Sequence, residues 1–253
     1  MSTWPQSQKH KNPRRSQERK AAKIETINLF VGFDPKEEVG THAFNSSVLA
    51  NTSTPVSITH LHKPMLEKQL GLVFQAGSND FTKTRFLIPH LMGRKGWAIF
   101  ADGADMICMD DLAHLMSYAN PLEAKAVYVV KHDYHTKAPV KYIGTKMETD
   151  NQDYPRKNWA SLMLINCAHF GWPSPKDISG MSMSDLLQFK FLDDDRIGSL
   201  PKDWNWLADE DGVNEKAKII HWTQGIPGFN HYKNAPMAEK WFDAHQRANY
   251  ATN

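Results

Sequence analysis

Apolar runs and helical patterns alternate along most of the chain. Residues 27–34 form an apolar run with β-branched side chains that ends in Gly32 and Asp34, which is typical of a buried parallel strand feeding a loop. Apolar positions then recur at helical spacing over 42–50, and residues 55–60 alternate as a strand does. The folded part of the chain is therefore predicted to begin in the order β-α-β.

The same alternation continues towards the C-terminus. Further strands are predicted over 96–101, 126–130, 161–166 and 219–220, and further helices over 81–91, 181–191 and 238–247. The polar connection at 131–160 is too long to be a simple turn, and connections of this length often carry function. Strands and helices that alternate without an internal repeat predict a single α/β domain.

Ligands of open α/β sheets bind beyond the carboxyl ends of the strands. The polar residues that follow the predicted strands are therefore the candidates for chemistry: Asp34, Asp102, Asp105, Asn166 and His221. The chain has no GxGxxG dinucleotide fingerprint and no GxxxxGK[ST] phosphate loop. A nucleotide would have to be held in another way.

Composition excludes several classes of protein. With 253 residues, 41% hydrophobic and 23% charged, the chain is neither disordered, collagen-like nor stapled by disulfides. Cys108 and Cys167 stand in apolar runs without a CxxC partner, which favours a reducing compartment. No run approaches the roughly 18 apolar residues of a membrane span, and no apolar block follows the N-terminal charges. We therefore expect a cytoplasmic protein without a transmembrane segment.

The charge is distributed unevenly. Residues 1–23 carry seven Lys or Arg against Glu18, a net charge of +6, so the rest of the chain carries −4 of the overall +2. Because residues 1–23 lack an apolar stripe, we predict a disordered basic tail ahead of a single domain over 24–253. The tail is either a simple solvated segment or a weak contact for a polyanion, such as nucleic acid or an anionic membrane surface.

Two carboxylates, Asp102 and Asp105, flank Gly103 directly after an apolar strand. A glycine permits a tight turn and a close ligand, so both carboxylates could face one divalent cation. The alternative is an ordinary turn in which Asp102 only caps the loop.

A second polar segment follows the last predicted strand. There, His221 is followed four residues later by Gly225, an arrangement that could supply an imidazole ligand and a backbone loop for phosphate oxygens. The alternative is a structural histidine satisfied by one backbone partner. Two carboxylates, an imidazole and a diphosphate would complete a Mn²⁺ or Mg²⁺ site, in which the nitrogen ligand favours Mn²⁺.

The ordered series of motifs between 27 and 232 resembles the glycosyltransferases of family 8 and their bacterial and phage relatives. The matching segments are 31–37, 84–89, 100–106 with 111–115, 161–166, 191–195 and 221–225. Residues 154–163 and 194–207 are similar to an uncharacterised bacterial branch. The resemblance implies the GT-A fold, a nucleotide-diphospho-sugar transferase fold with a single Rossmann-like mixed sheet flanked by helices.

The resemblance also implies roles for individual residues. Asp102 and Asp105 occupy the place of the family's DxD motif, and His221 is similar to its third metal ligand. The other residues implied in donor binding face the base, the diphosphate or the sugar: Gly32, Phe33, Asp34, Arg85, Asp102, Gly103, Asn158, Ser161 and Gly225. The rigid fork of an arginine suits phosphate, although an ion pair on a helix surface is the alternative for Arg85.

The sequence departs from the family in three places. Its aspartates are three apart instead of two, so either Asp102 or Gly103 takes the first position. Asn158 or Ser161 stands in for the family's usual Asn-x-Gly. In the catalytic candidates Asp193 and Asp194, the second replaces a usual glutamine, and a carboxylate is the better nucleophile for a double displacement. The alternative is a solvated, inert acidic cluster.

These observations predict a metal-dependent retaining glycosyltransferase. It would move a hexose from a nucleotide diphosphate sugar, with UDP as the expected nucleotide, to an unidentified hydroxyl acceptor. There are two alternatives. One is a metal-dependent nucleotidyl transferase or phosphohydrolase that uses Asp102, Asp105 and His221 near phosphates. The other is a polyanion-binding module that uses the tail over 1–23 and has a vestigial nucleotide-sugar pocket.

Overall fold

The computed structural model describes residues 26–75, 77 and 79–249. The predicted basic tail over 1–23 lies outside the described residues. Within them a six-stranded mixed sheet forms the centre of the molecule, with the spatial order β2-β1-β3-β8-β5-β9. Its strands are β1 Ile27–Gly32, β2 Val56–Leu61, β3 Trp97–Ala101, β5 Val127–Val129, β8 Leu162–Asn166 and β9 Ile197–Ser199.

One strand of the central sheet runs against the others. β1 pairs in parallel with β2 and β3, and β5 pairs in parallel with β9. β8 is antiparallel to both of its neighbours, with Ala101 opposite Leu162 and Trp97 opposite Asn166. Asn166 therefore lies at the edge opposite the carboxyl end of β3. The expectation that Asn166 joins the candidate site is wrong, because a strand's direction cannot be read from its apolar run.

Two smaller sheets adjoin the central one. The strands β4 Met106–Cys108, β10 Trp206–Leu207 and β11 Ile219–His221 form a sheet in the order β10-β11-β4. The strands β6 Val140–Lys141 and β7 Thr149–Asp150 form an antiparallel hairpin inside the long connection at 131–160. The predicted mixed α/β fold, with a central mixed sheet flanked by helices, is confirmed, and two smaller sheets accompany the central one in the described part of the chain.

Helices pack on both faces of the central sheet. The α-helices are α1 Glu38–Asn51, α2 Lys63–Leu70, α3 Ile88–Leu91, α4 Leu112–Met116, α5 Pro175–Gly180, α6 Met183–Leu187, α7 Ala208–Asp211 and α8 Ala238–Asn249. The predicted helix over 81–91 is a 3₁₀ helix, Thr84–Leu87, followed directly by α3. The helix predicted over 181–191 is shorter in the structure, where it corresponds to α6.

Alternate residues of each central strand enter different apolar clusters, as the two-residue period of a strand requires. Phe30 and Phe100 point to the face covered by α2, α5 and α6, whereas Val31 and Ala101 point to the face covered by α1 and α4. A third cluster joins the small sheet to α8 through Trp222. None of the helices in the described part of the chain is long and apolar enough to cross a membrane.

The loop between β3 and β4 crosses from the central sheet to the small sheet. Helix α1 passes directly over this loop at Gly40, where an added Cβ would lie 2.1 Å from the carbonyl oxygen of Ala104. Because the obstacle is backbone, it cannot move aside as a flexible side chain can. The contact between α1 and the loop therefore requires glycine at this position.

Gly40→Ala tests this contact. We expect it to destabilise the fold by about 1–3 kcal/mol, because the methyl group overpacks a rigid contact despite alanine's better helix propensity. Gly180→Ala is the matched control, since Gly180 is also helical and an added Cβ there meets nothing within 4 Å. Urea unfolding of both variants provides the measurement, and equal stabilities for the two variants would contradict the account.

Candidate functional site

Two carboxylates occupy the crossing between the sheets. Asp102 and Asp105 are 9% and 7% exposed, respectively. The Asp102 N–H donates to the Ser161 carbonyl oxygen at 2.9 Å, and the Trp222 N–H donates to the Asp105 carbonyl oxygen at 2.9 Å. These bonds fix both ends of the loop to the neighbouring strands. The two side chains therefore have little freedom of position.

Gly103 permits the turn between the carboxylates. Its φ is +88°, a conformation that other residues rarely adopt, and an added Cβ would lie 2.3 Å from Val31 Cγ1. The sequence argument that glycine allows a tight turn here agrees with this geometry.

His221 is the last residue of β11 and is almost fully buried beside Asp105. Its Nε2 lies 3.3 Å from Asp105 Oδ2. One ligand atom from each of Asp102, Asp105 and His221 falls within 4.8 Å of the others, close enough for a single metal ion. Asp105 Oδ1 is buried and has no hydrogen-bond partner in the described part of the chain. Two carboxylates and an imidazole are ligands that Mn²⁺ and Mg²⁺ sites accept, so these residues fit a divalent cation.

A chain of hydrogen bonds orients the imidazole. The Ser161 hydroxyl donates to the Asn158 carbonyl oxygen at 2.8 Å and accepts from Asn205 Nδ2 at 2.8 Å. Asn205 Oδ1 therefore faces His221 Nδ1, at 3.0 Å, and can only accept, so Nδ1 carries a proton. In the neutral ring Nε2 then holds the lone pair, and it is directed at Asp105. A lone pair facing a carboxylate is repulsive unless a proton or a metal ion lies between them.

The pKa values of Asp102 and His221 reflect burial and the same crowding of negative charge. Burial raises the pKa of Asp102 to about 6, although the Arg85 guanidinium opposes the shift. Burial alone would lower the pKa of His221, but the neighbouring Asp105 outweighs burial and raises it. In the absence of a cation, protons therefore supply the missing positive charge. A divalent cation would replace them.

Arg85 is the nearest cation to this group. Its Nη1 lies 2.7 Å from Asp102 Oδ1 and donates to the Ala160 carbonyl oxygen at 2.8 Å. The guanidinium lies between the rings of Phe81 and Phe100, at 5.2 and 4.9 Å from their centroids. Arg85 is thus buried and held by stacking, which excludes the alternative of an ion pair on a helix surface.

These groups line a small inner cavity of about 70 Å³. Its lining includes six of the predicted site residues: Arg85, Asp102, Asp105, Asn158, Ser161 and His221. An outer cavity of about 420 Å³ shares Thr82, Lys141, Tyr154 and Asn158 with it. The sequence therefore predicts the residues of the inner cavity better than those of the outer cavity.

Five predicted donor residues, Gly32, Phe33, Asp34, Gly103 and Gly225, do not line the inner cavity. The Asp34 carboxylate is fully buried and accepts from the Lys36 and Asp80 backbone N–H groups at 3.0 and 3.2 Å. Added Cβ atoms at Gly32 and Gly225 would lie 2.5 and 2.4 Å from the rings of Phe81 and Tyr232. Phe33 packs beside His60 and His62. The role of these residues in donor binding therefore stays a prediction.

The catalytic candidates Asp193 and Asp194 also lie outside the inner cavity. Both are exposed in the short 3₁₀ turn that precedes β9, and the Asp194 side chain is 83% exposed. Asp194 forms an ion pair with Arg156, which stacks on the Trp159 ring at 5.2 Å. The nucleophilic role of Asp194 therefore stays a prediction, and the structure does not bring it together with the metal-ligating group.

Sequence reasoning missed Asn205, the residue that orients His221. The sequence does carry a signal, because Asn205 stands between two tryptophans, Trp204 and Trp206. In the structure its amide is fully buried and therefore needs hydrogen-bond partners. Sequence reasoning also missed Asn79 and Thr82, which line the inner cavity just before the 3₁₀ helix Thr84–Leu87.

Asn205→Ala tests the orientation of the imidazole. We expect Mn²⁺ affinity to fall about 10- to 100-fold, the usual cost of removing a residue that orients a metal ligand without binding the metal. Asn166→Ala, at the opposite edge of the sheet, is the control and should bind Mn²⁺ as the unmodified protein does. Calorimetric titration with Mn²⁺ measures both, and an unchanged affinity in a folded Asn205→Ala variant would show that the hydrogen bond has no such role.

Comparison with solved structures identifies the fold. The galactosyltransferase LgtC, solved with donor and acceptor sugar analogues, superposes with a TM-score of 0.60 at 12% identity, over 90% of this chain and 98% of LgtC. GlyE from Streptococcus pneumoniae matches with a TM-score of 0.57 at 14% identity, over 87% of this chain and 60% of GlyE. The bifunctional glycosyltransferase WbbM matches with a TM-score of 0.55 at 15% identity, over 87% of this chain and 49% of WbbM. These neighbours are GT-A glycosyltransferases, and the predicted GT-A fold is confirmed.

Comparison with known sequences identifies a plant relative. No protein-family model matches the chain. Protein CDI of Arabidopsis thaliana is 34% identical to it over 237 residues, which cover 88% of this chain and 87% of CDI. Identity at this level over nearly the whole of both proteins shows common ancestry. The chain therefore belongs to the family of protein CDI, built on the fold of the GT-A glycosyltransferases.

Proposed function

We propose that this protein is a metal-dependent glycosyltransferase that takes a hexose from a nucleotide diphosphate sugar, with UDP as the nucleotide. The observation that carries the proposal is the buried group of Asp102, Asp105 and His221, with the lone pair of His221 Nε2 directed at a carboxylate. The shared GT-A fold supports the same class of reaction. Membership of glycosyltransferase family 8 is part of this proposal.

Asp102, Asp105 and His221 would hold the cation. The imidazole nitrogen makes Mn²⁺ the better fit, and the two carboxylates accept Mg²⁺ as well. When bound, the cation supplies Lewis-acid stabilisation of the departing nucleoside diphosphate. The hydrogen bond from His221 to Asn205 keeps the imidazole in the tautomer and orientation that a metal ligand needs.

Arg85 would bind the diphosphate of the donor. Its guanidinium is held between two aromatic rings, so little conformational entropy is lost when it meets phosphate oxygens. Asn158 and Ser161 line the same cavity and would contact the donor. Gly32, Phe33, Asp34, Gly103 and Gly225 would act indirectly in donor binding, because they shape the backbone around the cavity.

A measurement of donor cleavage tests the proposal. The full-length protein with Mn²⁺ should release UDP from at least one UDP-hexose in a panel, even without acceptor, because water can replace the acceptor slowly. Asp105→Asn should reduce UDP release by about 100-fold or more, because the departing charge loses the stabilisation by metal.

Asp110→Asn is the matched control for that variant. Asp110 follows β4 and pairs with Lys218 at 2.8 Å, outside the inner cavity, so we expect unchanged UDP release. Release of UMP with a sugar phosphate would instead identify a phosphohydrolase or nucleotidyl transferase. The absence of any nucleotide product across the panel would contradict an enzymatic role for this site.

A retaining double displacement through Asp194 is tested separately. Because the Asp194 carboxylate is 83% exposed and paired with Arg156, we expect Asp194→Asn to keep UDP release within about threefold, as surface changes usually do. Asp195→Asn is the control, because Asp195 is also exposed beside Asp194 and is not a catalytic candidate. A loss of about 100-fold or more confined to Asp194→Asn would instead support the nucleophile and a rearrangement of this segment on donor binding.

A further inference from the structure

The β6–β7 hairpin places a lysine, Lys141, at the boundary between the two cavities. Lys141 contributes to the lining of both the inner and the outer cavity. The residues that follow it are fixed to the segment after β11. The Tyr142 N–H donates to the Gln224 carbonyl oxygen at 2.6 Å, and the Ile143 N–H donates to the Tyr232 hydroxyl at 2.8 Å. The fold therefore holds Lys141 over the metal-ligating group.

The Lys141 ammonium faces negative charge without pairing to any one carboxylate. Burial lowers the pKa of Lys141, and the charges of Asp105, Asp102 and Glu37 oppose that shift. Within residues 26–75, 77 and 79–249, no carboxylate forms an ion pair with its Nζ. Lys141 Nζ instead lies over the ring of Tyr142, 5.2 Å from its centroid. A half-buried ammonium without a direct counter-ion is poorly satisfied.

Binding of a divalent cation would leave less negative charge nearby to balance the positive charge of Lys141. Two positive charges on the cation would balance the carboxylates of Asp102 and Asp105, which now face the lysine. Glu37 offers little in their place, because burial and the neighbouring Asp105 raise its pKa and favour the neutral acid. Arg85 and Lys141 then remain as two cations beside one cavity. An anionic ligand that carries about two negative charges would neutralise these two cations.

We propose that Lys141 is a binding residue for the diphosphate of the donor, acting from the β6–β7 hairpin while Arg85 acts from the 3₁₀ helix Thr84–Leu87. This inference rests on the proposed function and adds to it a specificity element. The site would require both a metal ion and a diphosphate, and it would discriminate against a nucleoside without phosphates.

Replacement of Lys141 by methionine tests the inference, because methionine keeps much of the apolar stem and removes the charge. With Mn²⁺ present, we expect Lys141→Met to weaken the binding of UDP about tenfold or more, equivalent to about 1.4 kcal/mol. The affinity for uridine should stay unchanged. Lys141→Arg should retain most of the affinity for UDP, because it restores the charge. Lys146→Met is the matched control, since Lys146 is exposed in the same hairpin.

Calorimetric titration of the four full-length proteins with UDP and with uridine separates the outcomes. Equal UDP affinity for Lys141→Met, Lys146→Met and the unmodified protein would overturn the role of Lys141 and leave the proposed function standing. Equal losses for UDP and uridine in Lys141→Met would also overturn it, because they would indicate a general structural effect. An unmodified protein that binds no UDP with Mn²⁺ would contradict the proposed function and this inference together.

Discussion

The hydrogen bond between His221 Nδ1 and Asn205 Oδ1 decides what the buried acidic group can do. It fixes the proton on Nδ1 and directs the Nε2 lone pair at Asp105, an arrangement that is stable only with a positive charge between them. Asn205 is held in turn by Ser161, which is held by the Asn158 carbonyl oxygen. The chemistry of the site thus depends on a chain of neutral hydrogen bonds that contributes no ligand itself.

The fold creates this arrangement at the crossing between two sheets. Asp102 follows a strand of the central sheet, Asp105 precedes a strand of the small sheet, and His221 ends the neighbouring small-sheet strand. Two short segments that are distant in sequence, the loop at 102–105 and the end of β11 at His221, therefore converge at this crossing. Gly40 lets helix α1 close over this crossing, so the stability of the fold and the geometry of the site depend on the same contact.

The sequence predicts the parts of this structure that depend on local patterns. Apolar runs identify most strands of the central sheet and β11 of the small sheet, and the polar residues at the ends of the predicted strands include Asp102, Asp105 and His221. Of the small sheet, the sequence predicts the strand at 219–220, which is β11. It misses β4 and β10, because these strands have only three and two residues and pair over long range, so no local period marks them. Strand direction is not a local property either, which is why Asn166 is at the opposite edge. The long polar connection at 131–160 is expected to carry function, but the bonds from Tyr142 and Ile143 to Gln224 and Tyr232 that position Lys141 join distant parts of the chain, so no short window of sequence contains them.

A crystal structure of the full-length protein grown with Mn²⁺ and UDP, with anomalous diffraction measured at the manganese edge, tests the central claim most directly. The account predicts one strong anomalous peak bonded to carboxylate oxygens of Asp102 and Asp105 and to His221 Nε2, with the bond from His221 to Asn205 intact. Manganese bound elsewhere, or His221 Nε2 still hydrogen-bonded to Asp105 at saturating Mn²⁺ and UDP, would contradict it.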